Sequence, residues 1–220
     1  MARPRRIWYK GAVYHVMSRG NRRKLIFNND SDYLRFLRCV KKIQSESGFK
    51  IHALCLMPNH FHMIIETGET SLSIIMQKIL SIYVEGYNKK YSVTGHLFEG
   101  RYKAKLIEDV PYFLESSRYI HLNPVKANMV GSPEKFLYSS YCKYVNSYFP
   151  AINNAQKLII SSIWNLTETS RILGFFPKKP HERYRRFVES RVSHREQEQL
   201  IQKEFCEDDN WVPWERKKRG

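Results

Sequence analysis

The stretch that most constrains this chain is Leu56-Met57-Pro58-Asn59-His60-Phe61-His62-Met63-Ile64-Ile65. Pro58-Asn59 reads as a turn, and the apolar, β-branched run behind it reads as a strand. Side chains at i and i+2 of a strand share a face, so His60 and His62 stand side by side while Phe61 points into the opposite layer. Two neutral imidazoles on one face form half of a divalent metal site. Two histidines simply packed in an apolar strand are the alternative, and the choice depends on whether another element completes the pair.

Around this stretch the periodicity changes in a regular order. Ala12 to Arg19 has strand character, with Tyr14, Val16 and Ser18 on one face and Val13, His15 and Met17 on the other. Asn29-Asp30-Ser31-Asp32 offers helix N-caps, and the helix that follows should end at Ser47-Gly48, where Gly48 can adopt the left-handed conformation. Phe49 to Met57 is a second apolar strand, forming a hairpin with the histidine strand. Ser71 caps a helix running to about Lys90, and Tyr91 to Tyr102 is a Gly-punctuated loop. Lys103 to Glu108 reads as a fourth strand. A third helix starts at Asp109 or Val110-Pro111 and runs to about Asn123, where Pro124 follows. This β-α-β-β-α-β order is the split, ferredoxin-like arrangement: an α+β fold with a four-stranded antiparallel sheet against two helices, followed by one more helix. The pattern divides the chain into residues 1–145 and a helical, basic C-terminal region, 146–220, whose charged end reads as a flexible tail.

Charge narrows the partner. The chain carries 37 Lys and Arg against 21 Asp and Glu, a formal +16, and residues 1–30 hold eight Lys/Arg against the single acid Asp30. That excess points to a polyanion, most commonly nucleic acid, and the interleaved tyrosines and phenylalanines suit stacking on unpaired bases. No apolar run approaches the roughly 20 residues that span a bilayer. No basic amphipathic helix suits a membrane surface, and the N-terminus lacks a signal-peptide core; a cytoplasmic protein is expected. The four cysteines include no Cys-x-x-Cys pair, which speaks against a disulfide framework or a zinc ribbon. A zinc cluster of Cys55, His60 and His62 is disfavoured because simple alternation places Cys55 off the histidine face and no fourth ligand is evident.

On the third helix, Tyr119 and Asn123 are four residues apart and share a face. An amide oxygen from Asn123 suits Mg²⁺ or Mn²⁺, and a phenolate from Tyr119 can attack a phosphodiester whose charge a metal neutralises. His121, about 200° round the helix from Tyr119, should face elsewhere. His15 and His52 read as packed strand histidines that could also support a metal site from behind. His96 reads as a loop residue that caps a turn or touches DNA, and Glu66 and Glu108 read as strand ends, with a role as carboxylate partners the alternative.

Five segments in one order carry a resemblance: Met1 to Arg6, Tyr14 to Arg22, Leu56 to His62, Gly95 to Ala104 (Gly-His-Leu-Phe-Glu-Gly-Arg-Tyr-Lys-Ala) and Arg118 to Ala127 (Arg-Tyr-Ile-His-Leu-Asn-Pro-Val-Lys-Ala). With them the chain resembles the REP-associated tyrosine transposases, a group of IS200-like Y1 transposases with a His-hydrophobe-His nuclease motif. The match is dense over residues 1–145 and looser beyond, where Tyr138-Ser139-Ser140-Tyr141 and Ile172-Leu173-Gly174 resemble the family's C-terminal part. The resemblance implies cleavage of single-stranded DNA near hairpins through a 5′-phosphotyrosine intermediate, with a divalent metal. It implies His60 and His62 as metal ligands, Asn123 as a third, and Tyr119 as the nucleophile. Arg118, the basic segment Arg19, Arg22 and Arg23, and Arg101 and Lys103 would contact DNA phosphates. A monomer is favoured. The competing reading is a non-catalytic nucleic-acid-binding module on a ferredoxin-like sheet, although the Gly- and aromatic-rich strands of RNA-recognition modules are absent.

Overall fold

The computed structural model describes residues 7–149 and 152–190; the C-terminal tail expected to be flexible lies outside them. The elements run β1 (Val13–Arg19), α1 (Asp30–Ser47), β2 (Lys50–Met57), β3 (His60–Glu66), α2 (Leu72–Tyr91), β4 (Lys103–Leu106) and α3 (Val110–Lys126). The four strands form one antiparallel sheet in the order β2-β3-β1-β4, as the ferredoxin-like pattern requires.

Alternation decides which layer each side chain enters. Tyr14, Val16, Leu54, Leu56, Phe61, Met63 and Ile65 point to the face covered by α1 and α2, whose buried stripes include Phe36, Leu37, Val40 and Ile43 on α1 and Ile75, Met76, Ile79 and Tyr83 on α2. Helix α1 stops where expected, with Gly48 in the left-handed region at φ 64°.

The opposite face carries Val13, Ala53, Cys55, Met57 and Ile64, and α3 lies across it through Phe113, Tyr119 and Ile120. The later helices are α4 (Tyr141–Val145), α5 (Asn154–Leu166), α6 (Ser170–Leu173) and α7 (Pro180–Glu189). They divide between the two layers. Ile159, Ile163 and Leu166 of α5 join the core under α1, whereas Tyr184 and Val188 of α7 join the core under α3. The described residues beyond 145 therefore brace both sides of the sheet.

One boundary departs from expectation. Helix α3 does not end at Asn123 but continues through Pro124 to Lys126. A proline this close to a helix C-terminus removes only one backbone donor from a ladder that is about to end, and Ala127 N–H still donates to the Asn123 carbonyl. The extra turn brings Lys126 onto the Tyr119 side of the helix, seven residues on.

Candidate active site

Strand register assembles one side of the site. In the β1–β3 ladder Arg19 lies opposite His60 and Met17 opposite His62. Opposite residues in an antiparallel pair share a face, so Arg19, His60 and His62 project together toward α3. The Asp109 carboxylate caps that helix by accepting from Tyr112 N–H at 2.7 Å, with Pro111 in the first turn, which fixes where α3 begins and hence its rotation over the sheet.

Tyr119 and Asn123 then meet the histidines. The Tyr119 ring packs edge-on to His62, centroids 5.4 Å apart, and Asn123 Oδ1 lies 3.4 Å from His60 Nε2. The two histidine rings stand 5.2 Å apart at right angles. All four residues singled out in the sequence thus converge at one end of the sheet.

The His60 surroundings define its free lone pair. Its Nδ1 is 2.7 Å from Asn59 Oδ1, and the Asn59 amide is oriented by donation from Nδ2 to the Arg23 carbonyl at 3.4 Å. A carbonyl oxygen only accepts, so His60 carries its proton on Nδ1, and Nε2 faces Asn123 Oδ1 as a second acceptor. Asn123 is oriented in turn by donation from Nδ2 to the Tyr119 carbonyl at 3.4 Å. A doubly protonated ring could satisfy both oxygens, and Asn123 favours it, but burial together with the Arg19 charge outweighs that and holds the His60 imidazole down at about 4. With the proton on Nδ1 toward Asn59, the lone pairs of His60 Nε2 and Asn123 Oδ1 face each other across 3.4 Å. That pair of donors, together with His62, fits a divalent cation. Among the described residues no three of His, Cys, Asp and Glu converge as a metal-binding group; a cation here would rest on two imidazoles and a neutral amide. Such a donor set leaves the ion's charge undiminished toward an incoming phosphate.

Two further side chains belong to the cluster. His15, buried on β1, places Nε2 3.0 Å from His62 Nδ1 and its ring 5.9 Å from that of Tyr119. Lys126 sits 4.9 Å above the Tyr119 ring as a cation–π contact. Sequence reading did not single out Lys126. The available signal was its spacing, seven residues from Tyr119 and three from Asn123, which a helix stopped at Asn123 concealed.

The basic residues divide. Arg19 borders His60 and is held by Glu99, which accepts from Nε and Nη2 at 2.8 and 2.6 Å. Arg22 and Arg101 are exposed, Arg23 and Lys103 half-buried, and Lys103 faces the histidine layer opposite Met17. Arg22 and Arg23 both adopt left-handed backbone, φ 52° and 59°, in a loop tied to the 92–101 segment by Asn21 N–H donating to the Leu97 carbonyl at 2.8 Å. Arg118 is a correction. It is 2% exposed, donates to the carbonyl and hydroxyl of Ser190 at the end of α7 and stacks 5.1 Å over Phe187. It pins α7 to α3 and is not placed to meet a phosphate.

Cys55 is a second correction. It lies opposite His62 in the β2–β3 ladder and therefore on the histidine face. Alternation along a single strand would separate Cys55 from the histidines, but the two-residue hairpin at Pro58-Asn59 reverses the parity. The thiol is fully enclosed, and burial raises its pKa despite a hydrogen bond with Ser139, so it stays protonated and a poor ligand. His121 faces away, within hydrogen-bond reach of Tyr184 and Ser140 at 2.8 and 2.9 Å. His52 is a packed strand histidine that meets Glu66 at 2.7 Å, and Glu66 also takes Arg171 of α6.

The fold agrees with comparisons to other proteins. The chain matches the model of the family described as "Transposase IS200 like" over residues 9–123, just over half its length, and it belongs to that family. Its fold is similar to that of a REP-associated tyrosine transposase solved bound to a REP hairpin, with TM-score 0.58, 19% identity, and 70% of this chain and 96% of that one covered. A putative transposase from Deinococcus radiodurans R1 aligns more weakly, with TM-score 0.38, 14% identity, and 59% and 92% covered. No curated protein sequence matches the chain. No helix of the described residues is long and apolar enough to cross a membrane.

Proposed function

We propose that this protein is a metal-dependent nuclease and strand transferase acting on single-stranded DNA at or near hairpins, with Tyr119 as its nucleophile. The observation that carries the reading is the convergence of Tyr119 and Asn123 from one helix on His62 and His60 from one strand, in a chain of the IS200-like transposase family. The hairpin is suggested by the ligand of the REP-associated relative.

The residues divide the work. Tyr119 is held against His62 by its helix, so attack on a bound phosphodiester needs little reorganisation. Its phenolic oxygen forms the new bond to the 5′-phosphate, the bond to the 3′-oxygen breaks, and the phenol's proton is transferred to that departing oxygen, leaving a 3′-hydroxyl. The phosphotyrosine so formed retains an ester that a second 3′-hydroxyl can reclaim. His60, His62 and Asn123 would hold Mg²⁺ or Mn²⁺, which when bound supplies charge neutralisation at the non-bridging phosphate oxygens. Lys126 Nζ lies over the Tyr119 ring, where an ammonium would oppose the phenolate charge that develops. Arg19, Arg22, Arg23, Arg101 and Lys103 are assigned to phosphates of the strand. Residues 1–145 carry the reaction, and the helices beyond brace both faces.

The test is incubation of end-labelled hairpin DNA bearing a single-stranded flank with protein and Mn²⁺, followed by denaturing electrophoresis. A covalent protein–DNA band that disappears in Tyr119→Phe is expected. Identical behaviour of wild type and variant would remove Tyr119 from the reaction, and hairpin binding with no adduct from either would favour a binding module.

A further inference from the structure

His62 has a partner whose role the proposed reaction does not by itself explain. His15 and His62 are buried to 0% and 4% exposure, with His15 Nε2 3.0 Å from His62 Nδ1. One nitrogen of such a pair must donate and the other accept. If His15 donates, His62 is left with its proton on Nε2 and no lone pair to offer. If His62 donates from Nδ1, its Nε2 lone pair is free. The same atoms in the same places thus describe two molecules, one able to bind a cation through His62 and one not.

We propose that His15 is a positioning residue that holds His62 in the Nδ1–H tautomer, as the Asn59 carbonyl holds His60; the inference rests on the metal-dependent reading above. The two devices differ in kind. Asn59 Oδ1 can only accept, so it dictates the His60 tautomer outright. His15 accepts through Nε2 when its own proton is on Nδ1, and then leaves His62 Nε2 as a ligand nitrogen. His15 also fixes the orientation of the ring. It stands on the central strand β1, its ring centroid 5.2 Å from that of His62 and 5.9 Å from that of Tyr119. One side chain therefore touches both the strand that would hold the metal and the helix that carries the nucleophile.

The test begins without metal. Long-range ¹H–¹⁵N correlation spectra of the full-length, metal-free protein, with His62 assigned by loss of its signals in His62→Gln, report which ring nitrogen carries the proton. Nδ1–H is expected; Nε2–H overturns the inference. Mn²⁺ titration followed by electron paramagnetic resonance then compares two variants. His15→Gln can present a carbonyl where Nε2 stood and should bind Mn²⁺ nearly as wild type does. His15→Leu keeps bulk but not the acceptor and should weaken binding by about 10–100-fold. Undiminished binding by a folded His15→Leu overturns the proposal, as does equal weakening in both variants, which would show that shape rather than the hydrogen bond matters. Failure of the catalytic reading is separate: it appears as a missing Tyr119 adduct, while the His62 tautomer is read in protein that holds neither metal nor DNA.

Discussion

Asn123 Oδ1 and His60 Nε2 face each other at 3.4 Å, and both are acceptors when His60 holds its proton on Nδ1 toward Asn59. The approach is mildly repulsive unless a cation lies within reach of both, so the pair is more useful to a ligand than to the fold. Asn123→Ala should therefore leave stability nearly unchanged and weaken Mn²⁺ binding by at least about tenfold, the lower range seen when even outer-shell partners are removed. Asn123→Asp adds a charged oxygen at the same point and should tighten Mn²⁺. Calorimetric titration checks both. An aspartate variant that binds no more tightly would place the cation away from Asn123.

His60→Ala should abolish metal-dependent cleavage and leave much of the hairpin affinity, because phosphate contacts dominate binding. Parallel cleavage and filter-binding assays separate the two effects. Cleavage at the wild-type rate would remove the metal site from the mechanism.

Arg118 separates structure from recognition. Its guanidinium is enclosed between α3 and the end of α7, and Arg118→Met removes charged hydrogen bonds worth about 1.5–3 kcal/mol each. A loss of stability of that order in urea unfolding is expected, with DNA affinity of the folded variant unchanged. Arg22→Ala and Arg101→Ala, at exposed positions, should do the reverse. Removing each phosphate-binding cation should make the slope of log affinity against log salt shallower by about 0.7.

Gly20 controls the basic loop without carrying charge. A Cβ there would meet the Lys24 carbonyl oxygen at 2.1 Å, a backbone atom that cannot step aside alone. Gly20→Ala should cost about 1–3 kcal/mol, as overpacking does, and should lower DNA affinity by displacing Arg22 and Arg23. A variant with wild-type stability and affinity would show that the loop's course is unimportant.

Acid should weaken the fold. Burial holds His15 and His121 down to about 3 and His60 to about 4, against about 6.5 in the unfolded chain. Because these folded values are depressed, the unfolded state binds more protons between about pH 6.5 and 4. Stability is then complete above the unfolded value and falls as pH drops through that window, by up to about 1.4 kcal/mol per unit for each group. Urea midpoints at several pH values check this. His121→Gln, remote from the metal candidates, should flatten the slope without altering Mn²⁺ binding.

Much of the architecture was legible because it follows from local periodicity. The alternation of residues 13–19 and 61–65, the helical spacing from Tyr33 to Ile43 and the stop at Gly48 each arise from backbone geometry that neighbouring residues impose. The candidate site was legible for the same reason: i and i+2 on a strand, and i and i+4 on a helix, bring pairs together before any tertiary contact forms. The Arg118 and Cys55 readings failed where that local rule ended. Arg118 sits in a sequence context identical for a surface or an interface arginine, and only the docking of α7 encloses it. Cys55 changes face because parity across a hairpin depends on the loop length and the ladder it sets.

By itself, then, the sequence determined the order and faces of the elements, the pairing of His60 with His62 and of Tyr119 with Asn123, and the charge that favours a polyanion. Tertiary structure alone decided that α3 lies across the histidine face and runs past Pro124 to bring in Lys126, that Arg118 is buried, and that His15 Nε2 meets His62 Nδ1. The physical reason is range. Side-chain direction within an element is set by backbone dihedrals a few residues apart, whereas burial, hydrogen-bond partnership and tautomer depend on which distant surface packs against it.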